Sequence, residues 1–413
     1  MQFAEAAQYL LSLGHETLTI KLGLRNTELL LQALDNPERS FTSVQIAGTN
    51  GKGSTAAMLD SISRAAGIRT GLYTSPHLVS ITERIRIAGS DITPEGFARH
   101  ASTVRAAAED LVAREEIKTP PTFFEHVTAI ALIAFREAGV ELAILETGLG
   151  GRLDSTTAVK AGIVGITQIA MDHEEYLGHT LASIASEKAA VIRPGVTAVI
   201  GQQDPEALAV LLDRCQTVGV QPSLEPGGNF KEQISLSLRG AHQIQNASVA
   251  IRLAQALNIS RESIIRGLKR TQHPGRLELI DHNPSFLLDG AHNPAGAEAL
   301  RNYLAEFHDG PLTLVFGAMR DKKLDQITRT LFPLANCLIL TLINNPRSAS
   351  LETLASFAKQ FAPNVVIETT SSIEAVHTAI AQTPPGGLIC ITGSLYLIGE
   401  TRPLILKLAK EKA

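Results

Sequence analysis

Short runs of aliphatic and β-branched residues alternate with longer stretches of helical period along most of this chain. That rhythm predicts an α/β fold built on parallel sheet. In the first half "SVQIAG" reads as a strand, "STAAMLDSISRAAG" as a helix closed by Gly67, and "RTGLYTS" as the next strand. Thr93 followed by Pro94 marks a helix start, with threonine at the cap and proline at the first helical position. Pro120-Pro121 precedes "TFFEHVTAIALIAFREAG", a further helix, and "ELAILETG" and "AGIVGITQI" follow as buried strands. The opening "MQFAEAAQYLLSLGHE" carries Glu5 and no basic stretch ahead of an apolar run. It reads as an amphipathic helix and not a signal peptide.

The second half repeats the rhythm more regularly, with "SFLLDG", "LTLVFG", "CLILTLI", "NVVIETT" and "GLICITG" as strands, each followed by a helical stretch. Five strands in βα order suggest a doubly wound, Rossmann-like domain. The last helix contains Pro403, expected to break it. The polar stretch 269–285, with two prolines, reads as a linker. The expected domains are therefore 1–276, holding a phosphate loop and a mainly parallel sheet, and 277–413. A chain of 413 residues exceeds what one hydrophobic core sustains, which agrees with two domains.

Composition adds limits rather than direction. Hydrophobic residues are 44% and charged residues 19%, ordinary for a soluble protein. A net charge of −4 argues against general affinity for nucleic acid or an acidic membrane. Cys215, Cys337 and Cys390 lack paired spacing and read as buried thiols of a reducing compartment. The longest apolar stretch, 127–135, is about half a bilayer span. A cytoplasmic protein is expected.

Chemistry concentrates at strand ends. "AGTNGKGS" lies between a strand and a helix, although it departs from the usual G-x-x-x-x-G-K-[ST] pattern by carrying Gly53 between Lys52 and Ser54. Thr49, Asn50, Gly51, Lys52, Gly53 and Ser54 can still cradle phosphate, since glycines let amides turn toward an anion at a helix N-terminus. No N-K-x-D or D-x-x-G string occurs, which removes the GTPase reading. Glu146 and His173 follow strands on the same sheet edge and are candidates to share a divalent metal. Lys188 sits in a mostly apolar helical stretch. It is either a solvated lysine or, if buried, an amine with a depressed pKa able to react with CO₂. Asp289, His292 and Asn293 end another strand, where turn chemistry competes with a ligand role. Arg276 in the linker is placed to clamp phosphate as two domains close.

Together "AGTNGKGS", "YTSPHL", "ERIRIAG", "FFE", "LETGLGGRLD", "DHEEYLG", "IASEKAAVIRPG", "HPGRLE", "DGAHNP" and "TGSLYLIGE" resemble the folylpolyglutamate synthase and dihydrofolate synthase family of the Mur ligase superfamily. They run in family order over residues 44–400. The resemblance implies an ATP-dependent amide ligase that phosphorylates a pteroyl carboxylate and passes the acyl group to L-glutamate. By position it implies a phosphate cradle at Gly51, Lys52, Gly53 and Ser54, and Mg²⁺ at two sites through Ser75, Glu146 and His173. It implies a carbamylated Lys188, with Lys52, His173 and Lys188 in catalysis. Asn246, Arg276, Asp289 and His292 match nucleotide positions, and Thr122, Phe124, Glu125, Leu153 and Asp154 match the pterin region. K⁺ is a further candidate ion, and the protein is expected to act as a monomer on ATP, L-glutamate and a pteroate or folate. One departure is "LDSTT", where Thr157 replaces the family's usual asparagine; it bears on the pterin loop and on substrate choice. Two alternatives remain: a Mur-type ligase for another carboxylate, and a nucleotide-dependent switch without ligase chemistry. Only 47 residues precede Gly48, less than the additional domain of about a hundred residues that a cell-wall ligase carries, which favours the folate-type reading.

Overall fold

The computed structural model describes residues 1–14, 23–224, 235–361 and 365–411. These fall into two compact units, one formed by 1–237 with 245–271 and the other by 238–244 with 272–413. Each is a mixed α/β body around a mainly parallel sheet.

The first sheet has seven strands: β1 (Thr42–Ala47), β2 (Thr70–Tyr73), β3 (Ile85–Ile87), β4 (Ser90–Asp91), β5 (Leu142–Glu146), β6 (Ile163–Ile166) and β7 (Thr197–Ile200). Their order is β4-β3-β2-β5-β1-β6-β7. The order makes β1 central, parallel to β5 on one side and β6 on the other. Val44, Ile46 and Ala47 are fully buried, as are Ala143, Ile144 and Leu145 of β5. Such continuous apolar runs are what a parallel sheet covered on both faces demands. The short β3 and β4 add an antiparallel edge. Register sets Ile46 beside Glu146 and beside Gly165, so the segment after β1 leaves the sheet between the ends of β5 and β6.

That segment turns into the helix Lys52–Ala65, almost wholly buried. The helix Arg261–Leu268 packs closely on it at Gly267, where an added Cβ would lie 2.6 Å from Ile62 N. Ser61 Oγ donates to Gly267 O at 2.8 Å across the same contact.

The second sheet has order β12-β11-β10-β13-β9-β8, with β8 (Glu278–Ile280), β9 (Ser285–Leu288), β10 (Leu312–Phe316), β11 (Cys337–Thr341), β12 (Val365–Thr369) and β13 (Leu388–Thr392). The five strands expected from sequence are present and parallel. Asn364, with which the fourth was read to begin, lies outside the described residues. Two expectations need correction. The stretch 269–285 is not only linker: β8 pairs antiparallel with β9, and a three-residue edge strand with exposed Leu279 carries too short an alternation to be read in advance. Nor does Pro403 break the last helix, which runs from Leu395 to Glu411. Proline costs one backbone bond there, but burial of Leu397, Ile398, Thr401 and Ile405 holds both halves to the sheet.

Gly267→Ala tests the helix contact. Alanine gains about 1 kcal/mol of helix propensity, yet its methyl meets backbone that cannot rotate away, an overpacking cost of about 1–3 kcal/mol. A lowered melting temperature is the expected outcome in a thermal unfolding scan; an unchanged or raised one refutes the contact.

Candidate functional site

At the end of β1 the chain enters Gly48-Thr49-Asn50-Gly51 before the helix Lys52–Ala65. Gly51 caps that helix at φ 86°, a left-handed conformation that suits glycine. A Cβ there would collide with Oδ1 of Asn246, so this buried asparagine stands directly against the loop. Thr49 N and Asn50 N both donate to Gln168 O, at 2.8 and 3.1 Å, which ties the loop to the segment after β6. Thr49 Oγ1 adds a bond to Ala170 O at 3.1 Å. Gly53 and Ser54 lie in the first helical turn, and Ser54 is buried.

Two lysines meet this loop. Lys52 Nζ donates to Thr49 O at 3.1 Å and Lys188 Nζ to Gly48 O at 2.8 Å. Lys188, on the helix Leu181–Ala189, is only 4% exposed. Burial, reinforced by the Lys52 charge, pushes its amine down to about 7, against the opposing pull of Asp172, Asp154 and Glu187. The lysine read from sequence as either solvated or buried is buried.

Carboxylates flank the loop. Glu146, closing β5, is buried and accepts from Ser75 N at 3.1 Å, so these two residues come together. His173 lies beyond β6, at φ 51°, capping the short helix Glu174–Leu177. Its backbone N donates to Asp172 Oδ1 at 2.9 Å, and its ring Nε2 stands 3.9 Å from the same oxygen. Glu146 and His173 thus follow strands separated by β1. Among the described residues no three His, Cys, Asp or Glu side chains gather as a metal-holding group. The donor set still fits a hard cation such as Mg²⁺, which takes one or two protein oxygens and completes its shell with phosphate and water.

The residues expected from the resemblance to face a pterin lie at the start of the helix Phe123–Glu137 and in the segment after β5. Thr122 caps the helix Phe123–Glu137, and Glu125 reaches back to Thr122 N at 2.7 Å. Glu125 is buried and also accepts from Thr27 Oγ1 at 3.0 Å. The half-buried Phe124 stacks at 5.8 Å from the Tyr73 ring and leaves no room for a side chain at Gly148. Leu153 is half-buried beside Asp154. Asp154 Oδ2 accepts from Gly148 N and Leu149 N at 2.9 and 3.0 Å, and Oδ1 from Thr156 N and Oγ1 at 3.0 and 2.6 Å. Burial raises its carboxyl pKa while these four bonds pull it back.

In the second unit, Asp289 follows β9, buried, accepting from Leu277 N at 2.9 Å and Ala291 N at 3.0 Å. Burial pushes its carboxyl up and the Arg276 charge opposes that. A Cβ at Gly290 would come within 3.1 Å of Arg276 Nη1, and His292 Nδ1 is 2.7 Å from Gly290 O. His242, not singled out from sequence, joins this group: burial and then Arg276 push its imidazole down to about 4. Gln45, Thr156 and Thr167 around the first loop were also missed, although a glutamine inside an apolar strand is a readable signal.

A parallel strand feeding a phosphate-type loop, with a second doubly wound unit, is the arrangement of the Mur ligases, and the family models match both units. The Mur ligase middle domain matches residues 46–218 and the Mur ligase glutamate ligase domain residues 275–395. The dihydrofolate synthase/folylpolyglutamate synthase of Bacillus subtilis is 34% identical, over 93% of this chain and 95% of that protein. A probable bifunctional folylpolyglutamate synthase/dihydropteroate synthase of Haloferax volcanii is 35% identical over 97% of this chain, which spans about half (50%) of that protein. Mycobacterium tuberculosis folylpolyglutamate synthase, solved in complex with ADP, superposes with a TM-score of 0.91 at 31% identity, covering 98% of each chain. The chain belongs to the folylpolyglutamate synthase/dihydrofolate synthase family.

Gly51→Ala tests the loop. A left-handed alanine costs about 1–2 kcal/mol, and the displaced Asn246 adds to it. Lower thermal stability is expected, with Gly→Ala at the exposed Gly162 (nothing within 4 Å of an added Cβ) as a neutral control. Equal melting of the two variants would refute the packing of Asn246 on Gly51.

Proposed function

We propose that this protein is an ATP-dependent ligase that joins L-glutamate to a folate, with dihydropteroate as an additional acceptor. The observation that carries the reading is the convergence of Lys52 and a buried Lys188 on the carbonyls of one glycine-rich loop. A binding module needs the first lysine but has no use for a second, buried one whose pKa is pushed down to about 7. Family membership and the ADP complex of the mycobacterial relative support the nucleotide assignment.

On this reading the domains are 1–276 for ATP and 277–413 for ligation. The β- and γ-phosphates rest on Gly51, Lys52, Gly53 and Ser54, beside Thr49, Asn50 and Asn246. Lys52 neutralises charge on the transferred phosphoryl group. Arg276, Asp289 and His292 make further nucleotide contacts. Thr122, Phe124, Glu125, Leu153 and Asp154 shape the acceptor pocket, with Phe124 offering a ring face to the pterin. Ser75 and Glu146 would hold Mg²⁺ at one site and His173 at a second, where the ion would neutralise charge on the phosphate oxygens. The acceptor carboxylate takes the γ-phosphoryl group, giving an acyl phosphate and ADP. The glutamate amine then attacks the acyl carbon, the C–N bond forms, and phosphate leaves with the electron pair of the broken C–O bond.

Lys188 takes CO₂ to become a carbamate. Its depressed pKa leaves a neutral, nucleophilic amine above about pH 7, where an ordinary lysine would be protonated. The carbamate exchanges a cation for an anion beside Lys52. K⁺, a monomeric state and a cytoplasmic location complete the proposal. Among the described residues no helix is long and apolar enough to cross a membrane.

Purified protein should release phosphate from ATP only with both a reduced folate or dihydropteroate and L-glutamate present; equal release without glutamate would sink the ligase reading. Lys188→Ala should lose activity, with partial restoration by short carboxylic acids. In the native protein the carbamate, followed by NMR with labelled bicarbonate, should disappear as pH falls through about 7. No signal at pH 8 and no rescue would remove carbamylation.

A further inference from the structure

We propose that Gln45 and Thr157 are positioning residues for the acceptor loop, dividing one amide's two protons between two threonine hydroxyls that in turn hold Asp154 and Gly151. Gln45 is a fully buried polar side chain on β1, one turn of strand before the phosphate loop. Its Nε2 lies 3.0 Å from Thr156 Oγ1 and 2.7 Å from Thr157 Oγ1. Thr147 Oγ1 is a more distant neighbour at 3.3 Å.

Proton counting fixes the direction of every bond. Thr156 Oγ1 gives its single proton to Asp154 Oδ1 at 2.6 Å, and Thr157 Oγ1 gives its own to Gly151 O at 2.7 Å. Both hydroxyls are then acceptors toward Gln45, and an amide nitrogen has two protons to give. Turning the amide around would face its oxygen to two hydroxyls whose protons are already placed. The orientation has a cost: Gln45 Oε1 is buried with no hydrogen-bond partner. A buried unsatisfied acceptor is destabilising, so this position gives up stability to hold two donors in place.

The two relays end at the last residue and at the middle of one loop, Asp154 and Gly151. Asp154 gathers Gly148 N and Leu149 N, while Gly151 O is held from below by Thr157. Gly151 also abuts the helix that carries Lys188: an added Cβ would lie 3.2 Å from Lys188 Cα, and Arg152 N donates to Glu187 O at 3.0 Å. Gln45 therefore fixes the segment Gly148–Asp154 to the strand that feeds the phosphate loop. Leu153 and the glycine facing Phe124 lie in that segment. The threonine that departs from the family's usual asparagine is the one that completes the second relay.

The kinetic arm of the test rests on the ligase reading, while the exchange arm stands without it. Thr157→Val keeps the shape and removes the hydroxyl, leaving Gly151 O with only the longer bond from Asp154 N and one Gln45 proton without its acceptor. Hydrogen exchange should quicken about tenfold for the amides of Asp154, which donates to Gly151 O, and Arg152, which follows Gly151, with β1 and the helix Lys52–Ala65 unchanged. The KM for dihydropteroate or tetrahydrofolate should rise about tenfold with the KM for ATP within about twofold, and Thr157→Ser should restore both. Gln45→Met, which removes both relays without stranding a new charge, should reproduce the pattern if the valine variant does not fold. Unchanged or uniformly altered exchange overturns the proposal, as does an active variant whose acceptor KM stays put or rises together with that for ATP. A wild-type protein without acceptor-dependent turnover would instead overturn the ligase reading, leaving exchange to decide this one.

Discussion

A lysine amine withdrawn from water and set 2.8 Å from the carbonyl of Gly48 is the interaction around which the first unit's site is arranged. Burying an ammonium group is expensive unless it is paired, and here the other nearby cation, Lys52, adds repulsion. Burial, with Lys52 beside it, pushes the Lys188 amine down to about 7, well below an ordinary lysine, so it loses its proton far more readily. Between those values the unfolded chain binds more protons than the folded one, so this group's contribution makes stability rise with pH above about 7. Asp172, Asp154 and Glu187 oppose the shift without cancelling it. Above about pH 7 such an amine is mostly neutral and keeps its lone pair, which an ordinary surface lysine does not.

Close approach at small residues makes that geometry possible. Gly151 lets the Gly148–Asp154 segment lie against the backbone of the Lys188 helix, and Gly148 lies under the Phe124 ring. Gly267 does the same for the helix on which the phosphate-loop helix leans. Each contact is backbone against backbone or ring, where a neighbour cannot yield by changing rotamer. The phosphate-type loop, the Gly148–Asp154 segment and the lysine helix are thus packed against one another around β1.

Much of this was legible in the chain because the informative signals are local. Continuous apolar runs marked the buried strands, and glycines around Lys52 marked the loop at the end of one of them. The carboxylate of Glu146 followed from its place at a strand end. What local pattern could not supply was partnership. Nothing near Lys188 in sequence says that its amine reaches Gly48, 140 positions away. Nor does spacing reveal that Glu125 is engaged by Thr27, or that Gln45 lies beneath Thr157. Pro403 misled for the same reason: the rule for an isolated helix ignores the sheet that holds both halves. The edge strand β8 was hidden because three residues carry too little period to read.

Both units place a buried aspartate just past or near a strand end and satisfy it with backbone amides, yet the two carboxylates differ in what they can still do. Asp154 accepts from four neutral donors, which matches the number of lone-pair directions a carboxylate offers. Its capacity is used within its own loop, so its effect on an acceptor must pass through the shape of that loop. Asp289 accepts from two amides, and the Arg276 charge favours its ionised form against the cost of burial. Two lone-pair directions remain beyond those amide bonds. The same residue type thus serves as scaffold in the first unit and as a charge-coupled acceptor in the second, and donor count is what separates the two.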